Sequence, residues 1–483
     1  MTITSTTPAT EPRTRQRSGV VVAVLALAGI VAAGMQTLIV PLIGQLPQIL
    51  QASAAETAWA VTATLLASAV AVPIAGRLGD MHGKRRLLLI SLVPLIAGSA
   101  LCALAGALTP MIVGRALQGL GMGVVPLGIS LLREVVPPER IGSAVATMSA
   151  SMGIGGAVGL PFAAAIAEYA SWRGMFWTFA GLAALTFALV LWLVPAGTDG
   201  RPGSRFDFIG ALLVSGGLVS LLLTISKGAG WGWGSPLTLG CAATALIALT
   251  LWIVHQLRST QPLVNLRSLA YKRLAITNVA SLLIGFAMYG QSLVIPQILQ
   301  LPTGTGYGLG QSMVAMALWL APGGVMMMLI APVGARLSAA RGPKTTLAFG
   351  ALAIAAGYGL GLLLMGSTWG LMIAAMVVNV GVGLAYGAIP LLIIGAVAHA
   401  ETGAANSFNT LVRSIGTSAA AAVTGVLLAG LTTAFGSTTV PSETGFRIAL
   451  LVGGAFSLIA MGVVGFLPGH QTRKTHLGRS SAR

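Results

Sequence analysis

The sequence predicts an all-α polytopic membrane protein: 14 transmembrane helices, built as two six-helix bundles related by a pseudo-twofold axis, with two inserted central helices. Three observations carry this. Of 483 residues, 55% are hydrophobic and only 8% charged, and apolar stretches of about 20 residues, the length that crosses a bilayer, recur along the chain. The twelve residues Gln36–Pro47, QTLIVPLIGQLP, return at Gln291–Pro302 as QSLVIPQILQLP. Apolar matches mean little in this composition, but both copies share Gln-x-x-x-x-Pro-x-x-x-Gln-Leu-Pro, and Gln and Pro are both awkward inside apolar helices. Finally, the basic residues are gathered on one side of the spans.

The duplication extends beyond those twelve residues. Gly76 opens the basic loop GRLGDMHGKRR and Gly334 opens GARLSAARGPK; GLGMGVVP, ending at Pro126, pairs with GVGLAYGAIP, ending at Pro390; Gly142 and Gly403 precede matching helices. Offsets of about 255 to 264 residues mark a parallel copying of six helices. Two halves that carry a polar, Pro-interrupted helix at the same place point to a binding site between them near the bilayer midplane.

The periodicity places spans at 18–43, 56–79, 86–107, 110–133, 142–168 and 173–194, then 207–227 and 236–256, then 274–299, 309–336, 345–366, 369–396, 404–430 and 446–467. The domains are therefore 1–17, a disordered cytoplasmic tail; 18–195, the first bundle; 196–273, the inserted pair and its linkers; 274–467, the second bundle; and 468–483, a second cytoplasmic tail.

Of the 27 lysines and arginines, all but Arg115, Arg173, Lys227, Arg413 and Arg447 fall on one side or in the tails. Basic loops stay in the cytoplasm, so both termini are expected there. The net charge of +17 is thus a topology signal, and the expected partners are the lipid bilayer and a small-molecule substrate, with no nucleic acid. Cys102 and Cys241 sit in apolar stretches and imply neither disulfide nor metal site. Arg13, Arg15 and Arg17 precede an apolar run that continues to about Ile43 without a small-residue cleavage site, so it is an uncleaved first helix. The histidines at 82, 255, 399, 470 and 476 are scattered; an enzyme would need them clustered with acids or cysteines.

The loop Gly76–Arg86 is the most specific stretch. Gly76 lets the helix end approach a neighbour and Gly83 permits a tight turn. Asp80, ahead of Lys84, Arg85 and Arg86, can sit at the positive end of an adjacent helix, where an anion gains about 0.3–1 kcal/mol. That contact would latch the two bundles on the cytoplasmic face; the plainer reading is a basic topogenic loop. Arg115 lies inside an apolar helix, a placement that costs about 2.5–3.5 kcal/mol and demands partners. Gln36 is the first candidate and Glu168 the ionic one; alternatively, backbone carbonyls satisfy it as a structural arginine. Arg413 invites the same reading. Gln36 and Gln291, with Pro41 and Pro296 beside them, offer hydrogen-bonding groups to a central cavity or glue between the first and ninth helices. Tyr289, Trp319, Met326, Met327, Met328 and Tyr386 either line that cavity or serve as core and lipid-facing residues. Gly155 and Gly159, with Pro161, allow close packing or a kink.

GRLGDMHGKRR resembles the loop signature of the major facilitator superfamily, Gly-x-Leu-x-Asp-Arg-x-Gly-Arg-Arg, with Met81 in place of its first basic residue. Arg115-Ala-Leu-Gln118-Gly119-x-Gly121-x-Gly123 resembles the fourth-helix motif of that family. Gly155-Gly156-Ala-Val-Gly159-Leu-Pro161, followed by Trp172-Arg173-x-x-Phe176, resembles its fifth-helix antiporter motif, with the proline one place late. Fourteen helices with an Asp207 segment opening the inserted pair resemble the drug:proton antiporter branch. The resemblance implies a secondary transporter of the cell membrane, acting as a monomer without a cofactor. It would export hydrophobic or weakly basic small molecules by proton antiport and alternating access. It also implies a gating hinge at Gly155, Gly159 and Pro161, and proton coupling through Arg115. Such antiporters carry an acid in the first helix, where this chain has Gln36, and none of its ten acids falls mid-span. Glu168 is the preferred proton site and Glu134 the next, unless Glu134 pairs with Lys84 or Arg85 in the latch. The alternative is a proton-independent facilitator or importer.

Overall fold

The computed structural model describes residues 11–39, 42, 46–52, 54–57, 59–169, 171–195, 206–263, 272–398, 401–435 and 438–467. Residues 1–10 and 468–483, the linkers at 196–205 and 264–271, Pro41, and a few helix side chains including that of Glu168 lie outside the described residues.

Fourteen helices are long and apolar enough to cross a membrane. The first six are α1 (Glu11–Thr37), α2 (Trp59–His82), α3 (Lys84–Leu104), α4 (Leu108–Val135), α5 (Ile141–Tyr169) and α6 (Trp172–Leu193). The inserted pair is α7 (Phe208–Trp231) and α8 (Pro236–Arg258). The last six are α9 (Lys272–Gln300), α10 (Met313–Arg341), α11 (Pro343–Leu363), α12 (Thr368–Ile394), α13 (Thr402–Gly430) and α14 (Glu443–Gly465). A short antiparallel hairpin, β1 (Thr432–Phe435) and β2 (Thr438–Pro441), links α13 to α14.

Local chemistry sets the ends. Ser171, Asp207, Ser235, Ser312, Ser367 and Ser442 each accept a backbone N–H from the first turn of the helix they precede, satisfying donors that a helix start leaves free. Gly83 (φ 92°) turns α2 into α3, and Gly342 (φ 84°) turns α10 into α11; both loops need a backbone that residues with a Cβ avoid. Two expectations are corrected here. The first helix begins at Glu11, inside the supposed disordered tail. Pro12 is tolerated in a first turn, and Arg and Gln are good helix formers, so the apolar run propagates backward through them. The same helix stops at Thr37 instead of residue 43. Proline clashes with the carbonyl four residues earlier, and Pro41 stands four residues after Thr37. In the second copy, Pro296 is absorbed inside α9.

Each six-helix set has its own apolar core. In the first, Leu25, Leu88, Leu92, Met111, Leu127, Met148 and Phe176 are buried together; in the second, Ile284, Ile354, Leu371, Ile389 and Phe446 are. The pair α7–α8 packs on α2 and α13, and Val214, Leu218 and Trp252 join the second core. The two sets repeat a seam: Gly98 of α3 lies on the α4 backbone at Gly114 and Gln118, and Gly357 of α11 lies on the α12 backbone at Ala374 and Val378. The sets meet where α5 packs on α10 and α12, and where α2 and α4 pack on α13. The helix ends bearing Lys84, Arg85, Lys272, Arg341 and Lys344 define a basic face. Toward the other face the outlying cations are engaged: Arg173 donates to Ala105 O and covers Trp172, Lys227 covers Trp59, and Arg447 pairs with Glu443.

Candidate functional site

At the basic face the bundles are sealed together. Asp80, in the last turn of α2, accepts hydrogen bonds from Gly403 N (3.1 Å) and Ala404 N (2.8 Å) in the first turn of α13. The residue before that helix, Glu401, makes no side-chain cap bond of its own. An acid from the opposite bundle therefore caps α13, meeting both its free N–H groups and the positive end of its dipole. Gly76, one turn earlier, lies against Ser407; a Cβ there would stand 2.7 Å from Gly403 O. Lys84 Nζ is 2.7 Å from Glu134 and 3.7 Å from Asp80, all three buried. Arg133 donates to Thr402 Oγ1 (2.6 Å) and Val397 O (3.3 Å), and Asn406 to Ser130 Oγ (3.4 Å).

Arg85 is not part of this seal, contrary to expectation. One position beyond Lys84 turns it by about 100°, and its Nη2 donates to Leu191 O (2.6 Å), a last-turn carbonyl of α6 that favours a cation.

Beyond the seal, α13 carries a polar stripe. Asn406, Thr410, Arg413 and Thr417 return to within about 40° of one face. Asn406 at its foot touches α4 of the first bundle and is buried, whereas Thr410, Arg413 and Thr417 are part-exposed. The stripe thus leaves the seal and climbs α13 toward the middle of its span. The Arg413 guanidinium carbon lies 4.6 Å from the centre of the Tyr386 ring. Tyr386 is largely buried; its hydroxyl donates to Met288 Sδ (2.9 Å), and its backbone carbonyl accepts from Ser149 of α5 (2.8 Å). Four helices from both bundles converge here. Beside them, Asn409 donates to Asn278 Oδ1 (2.9 Å) and Ser281 Oγ (2.7 Å). Ser149, Met288 and the asparagines escaped the sequence reading, although polar residues at four- and seven-residue spacing in an apolar helix were there to be seen.

The other expected cavity residues do not join this group. Gln36 is exposed on α1, while Gln291, its twin, is buried on α9. The copies also differ in helix length: α1 ends at Thr37, one residue past Gln36, whereas α9 continues through Pro296 to Gln300. Trp319 lies in the second turn of α10, at the far end from the basic face; its Nε1 donates to Gln311 and its ring meets the exposed Trp369 edge-on. That is a position for an interfacial aromatic. Tyr289 is half-buried on α9. Met327 packs against Gly153 of α5, and Met328 is exposed.

Among the described residues, the partners of Arg115 are backbone carbonyls, as the structural alternative expects, and Gln118; the Glu168 side chain lies outside the described residues. Arg115 is 1% exposed and donates to Ala60 O (3.2 Å), Met35 O (2.9 Å) and Gln118 Oε1 (2.6 Å). Gln118 in turn donates to Ser99 Oγ (2.8 Å). Met35 lies in the last turn of α1, whose carbonyls lack helical partners. The arginine therefore ties α1, α2 and α4 together, and through Gln118 α3. Glu168 is in the last turn of α5, with its side chain outside the described residues. Helix α5 runs unbroken through Pro161. Gly155 abuts Ile30 O and Ala33, and Gly159 abuts Thr37 and Gly34, so both glycines form a close seam with α1.

Residues 25–421 match the profile of the Major Facilitator Superfamily. The tetracenomycin C resistance and export protein of Streptomyces glaucescens is 31% identical over 389 residues, 79% of this chain and 70% of that protein. An uncharacterized MFS-type transporter of Mycobacterium tuberculosis is 30% identical over 284 residues, 58% of this chain, and the match spans only 41% of its length. In fold, the proton:xylose symporter XylE superposes with a TM-score of 0.63 over 94% of this chain and 97% of its own, at 16% identity. With a profile that reaches from the first helix into the thirteenth, and fourteen apolar helices among the described residues packed as two bundles, this chain belongs to the Major Facilitator Superfamily.

Proposed function

We propose that the protein exports hydrophobic small molecules, of the drug or metabolite kind, by alternating access. The observation that carries this reading is the asymmetry along α13: its start is held by Asp80 of the opposite bundle, while Thr410, Arg413 and Thr417 above it are part-exposed. In this reading the basic face is the cytoplasmic one, as the distribution of lysine and arginine supports, and the seal closes that side. Breaking the seal and closing the far ends would present the same stripe to the cytoplasm. The relative that acts in tetracenomycin C resistance and export supports the outward direction.

The proton gradient is the energy source in this reading. Glu134 is a carboxylate placed to link protonation to opening: one oxygen holds Lys84 and the other is buried without a hydrogen-bond partner. Glu168 is the second candidate. Arg115 acts by holding the first bundle's wall, its Nε and Nη1 donating to carbonyls of α2 and α1 and to Gln118. A second reading is a proton-independent facilitator, supported by the sequence, which has Gln36 where related antiporters carry an acid in the first helix. Efflux from loaded proteoliposomes under an imposed pH gradient separates the two. Antiport predicts gradient-driven efflux that Glu134→Gln or Glu168→Gln abolishes; efflux indifferent to the gradient leaves the facilitator.

A further inference from the structure

Two arginines lie within the apolar length of this protein, and their surroundings are opposite. Arg115 is buried and donates to three acceptors from Nε and Nη1. Arg413 is part-exposed where the bundles meet, over the face of Tyr386, whose backbone carbonyl is held by Ser149 of the first bundle. Among the described residues, no carboxylate lies within 4 Å of it. The described acids stand at helix ends: Asp80 and Glu134 in the seal, Asp207 in the inserted pair, Glu139 and Glu401 at the basic face, Glu56 and Glu443 at the other. Arg413 is eleven residues into α13, about 16 Å from its start, and so near the middle of a hydrocarbon core about 30 Å thick. A guanidinium at that depth is costly without a counter-charge, and one aromatic face offsets only part of the cost. Its planar fork of donors matches a carboxylate or phenolate. Around it, Tyr386 and Met288 present an adaptable apolar wall.

We propose that Arg413, over Tyr386, is the recognition site for cargo that is a small organic anion: an acidic oxygen on an apolar, aromatic body, bound where the two bundles meet. This rests on the export reading and narrows it, replacing the weakly basic cargo anticipated from sequence. Ser149 of the first bundle holds the Tyr386 backbone, so rocking of the bundles would alter the site that grips the anion.

The test uses the full chain in zwitterionic nanodiscs and two dyes with one three-ring skeleton and opposite charge near neutral pH: fluorescein, an anion, and a cationic rhodamine ester. Anisotropy titrations are expected to show fluorescein bound at least tenfold more tightly. Arg413→Gln should erase that preference and Arg413→Lys should keep most of it. Equal or reversed preference in the wild-type chain overturns the proposal without any variant, and so does a fluorescein affinity unchanged in a folded Arg413→Gln. The two readings fail separately. Arg413-dependent fluorescein binding without movement out of loaded vesicles refutes export alone; export of both dyes, indifferent to Arg413→Gln, refutes the anion site alone.

Discussion

Replacing Asp80 with asparagine changes one atom of the seal and is expected to open it. Both carboxylate oxygens accept from α13, at 3.1 and 2.8 Å, and the residue is only 6% exposed. Asparagine keeps one acceptor and turns an amide N–H toward the other backbone donor. Hydrogen bonds to charged groups are worth about 1.5–3 kcal/mol and neutral ones about 0.5–1.5. Losing one charged bond and weakening the other removes about 2 kcal/mol from the closed-seal state, and the lost interaction with the helix dipole adds to it. Lys84 keeps Glu134 at 2.7 Å, so no buried charge is stranded to complicate the result. About 2 kcal/mol shifts the ratio of open to closed seals roughly thirtyfold. Spin labels at His82→Cys and Ala340→Cys, both exposed on the basic face of opposite bundles, report that ratio as a distance distribution, with Cys241 replaced by serine. Wild-type protein should give one short distance and Asp80→Asn a second, longer one. An unchanged distribution would refute the idea that this carboxylate holds the bundles together.

Gly76→Ala attacks the same seal by size, placing a Cβ 2.7 Å from Gly403 O, and the same label pair should lengthen. Gln118→Leu leaves Arg115 short of an acceptor and Ser99 of its donor, costing about 1–3 kcal/mol; a lowered thermal midpoint in detergent checks it. Gly155→Leu should separate α5 from α1 and abolish efflux, whereas Gly156→Leu, where no atom lies within 4 Å, should be tolerated. Burial pushes the Asp207 carboxyl up, but hydrogen bonds from Gly210 N–H, His255 and Leu263 N–H outweigh it and hold its pKa below the usual carboxylate value. Its contribution to stability is therefore present above the unfolded pKa and fades as pH falls through the lower folded value. Thermal midpoints measured on descending into that acid range should fall more steeply for the wild type than for Asp207→Asn.

What could be read from the chain, and what could not, follows from the range of each interaction. Helix number and the basic hairpins depend on local apolar length, charge and glycine, and they were legible. Asp80 was legible as an anion suited to a helix start because it is the lone acid in a basic loop. Which helix it would cap was not, although Glu401 was a clue: a residue that does not cap α13 itself leaves that end to another chain segment. For Arg115 the chain left an ionic partner, Gln36 and backbone carbonyls all open. The bonds among the described residues are to carbonyls of α1 and α2, the one on α1 in its last turn, and to Gln118, three residues on along its own helix, where side chains are neighbours. Duplication copies a chain path, but burial is decided by which face that path presents to its neighbours: Gln36 is exposed on α1 and Gln291 buried on α9, so twin sequences gave unlike sites. The second bundle, with the polar stripe of α13, is the half that holds Arg413 at mid-depth, with no carboxylate within 4 Å among the described residues.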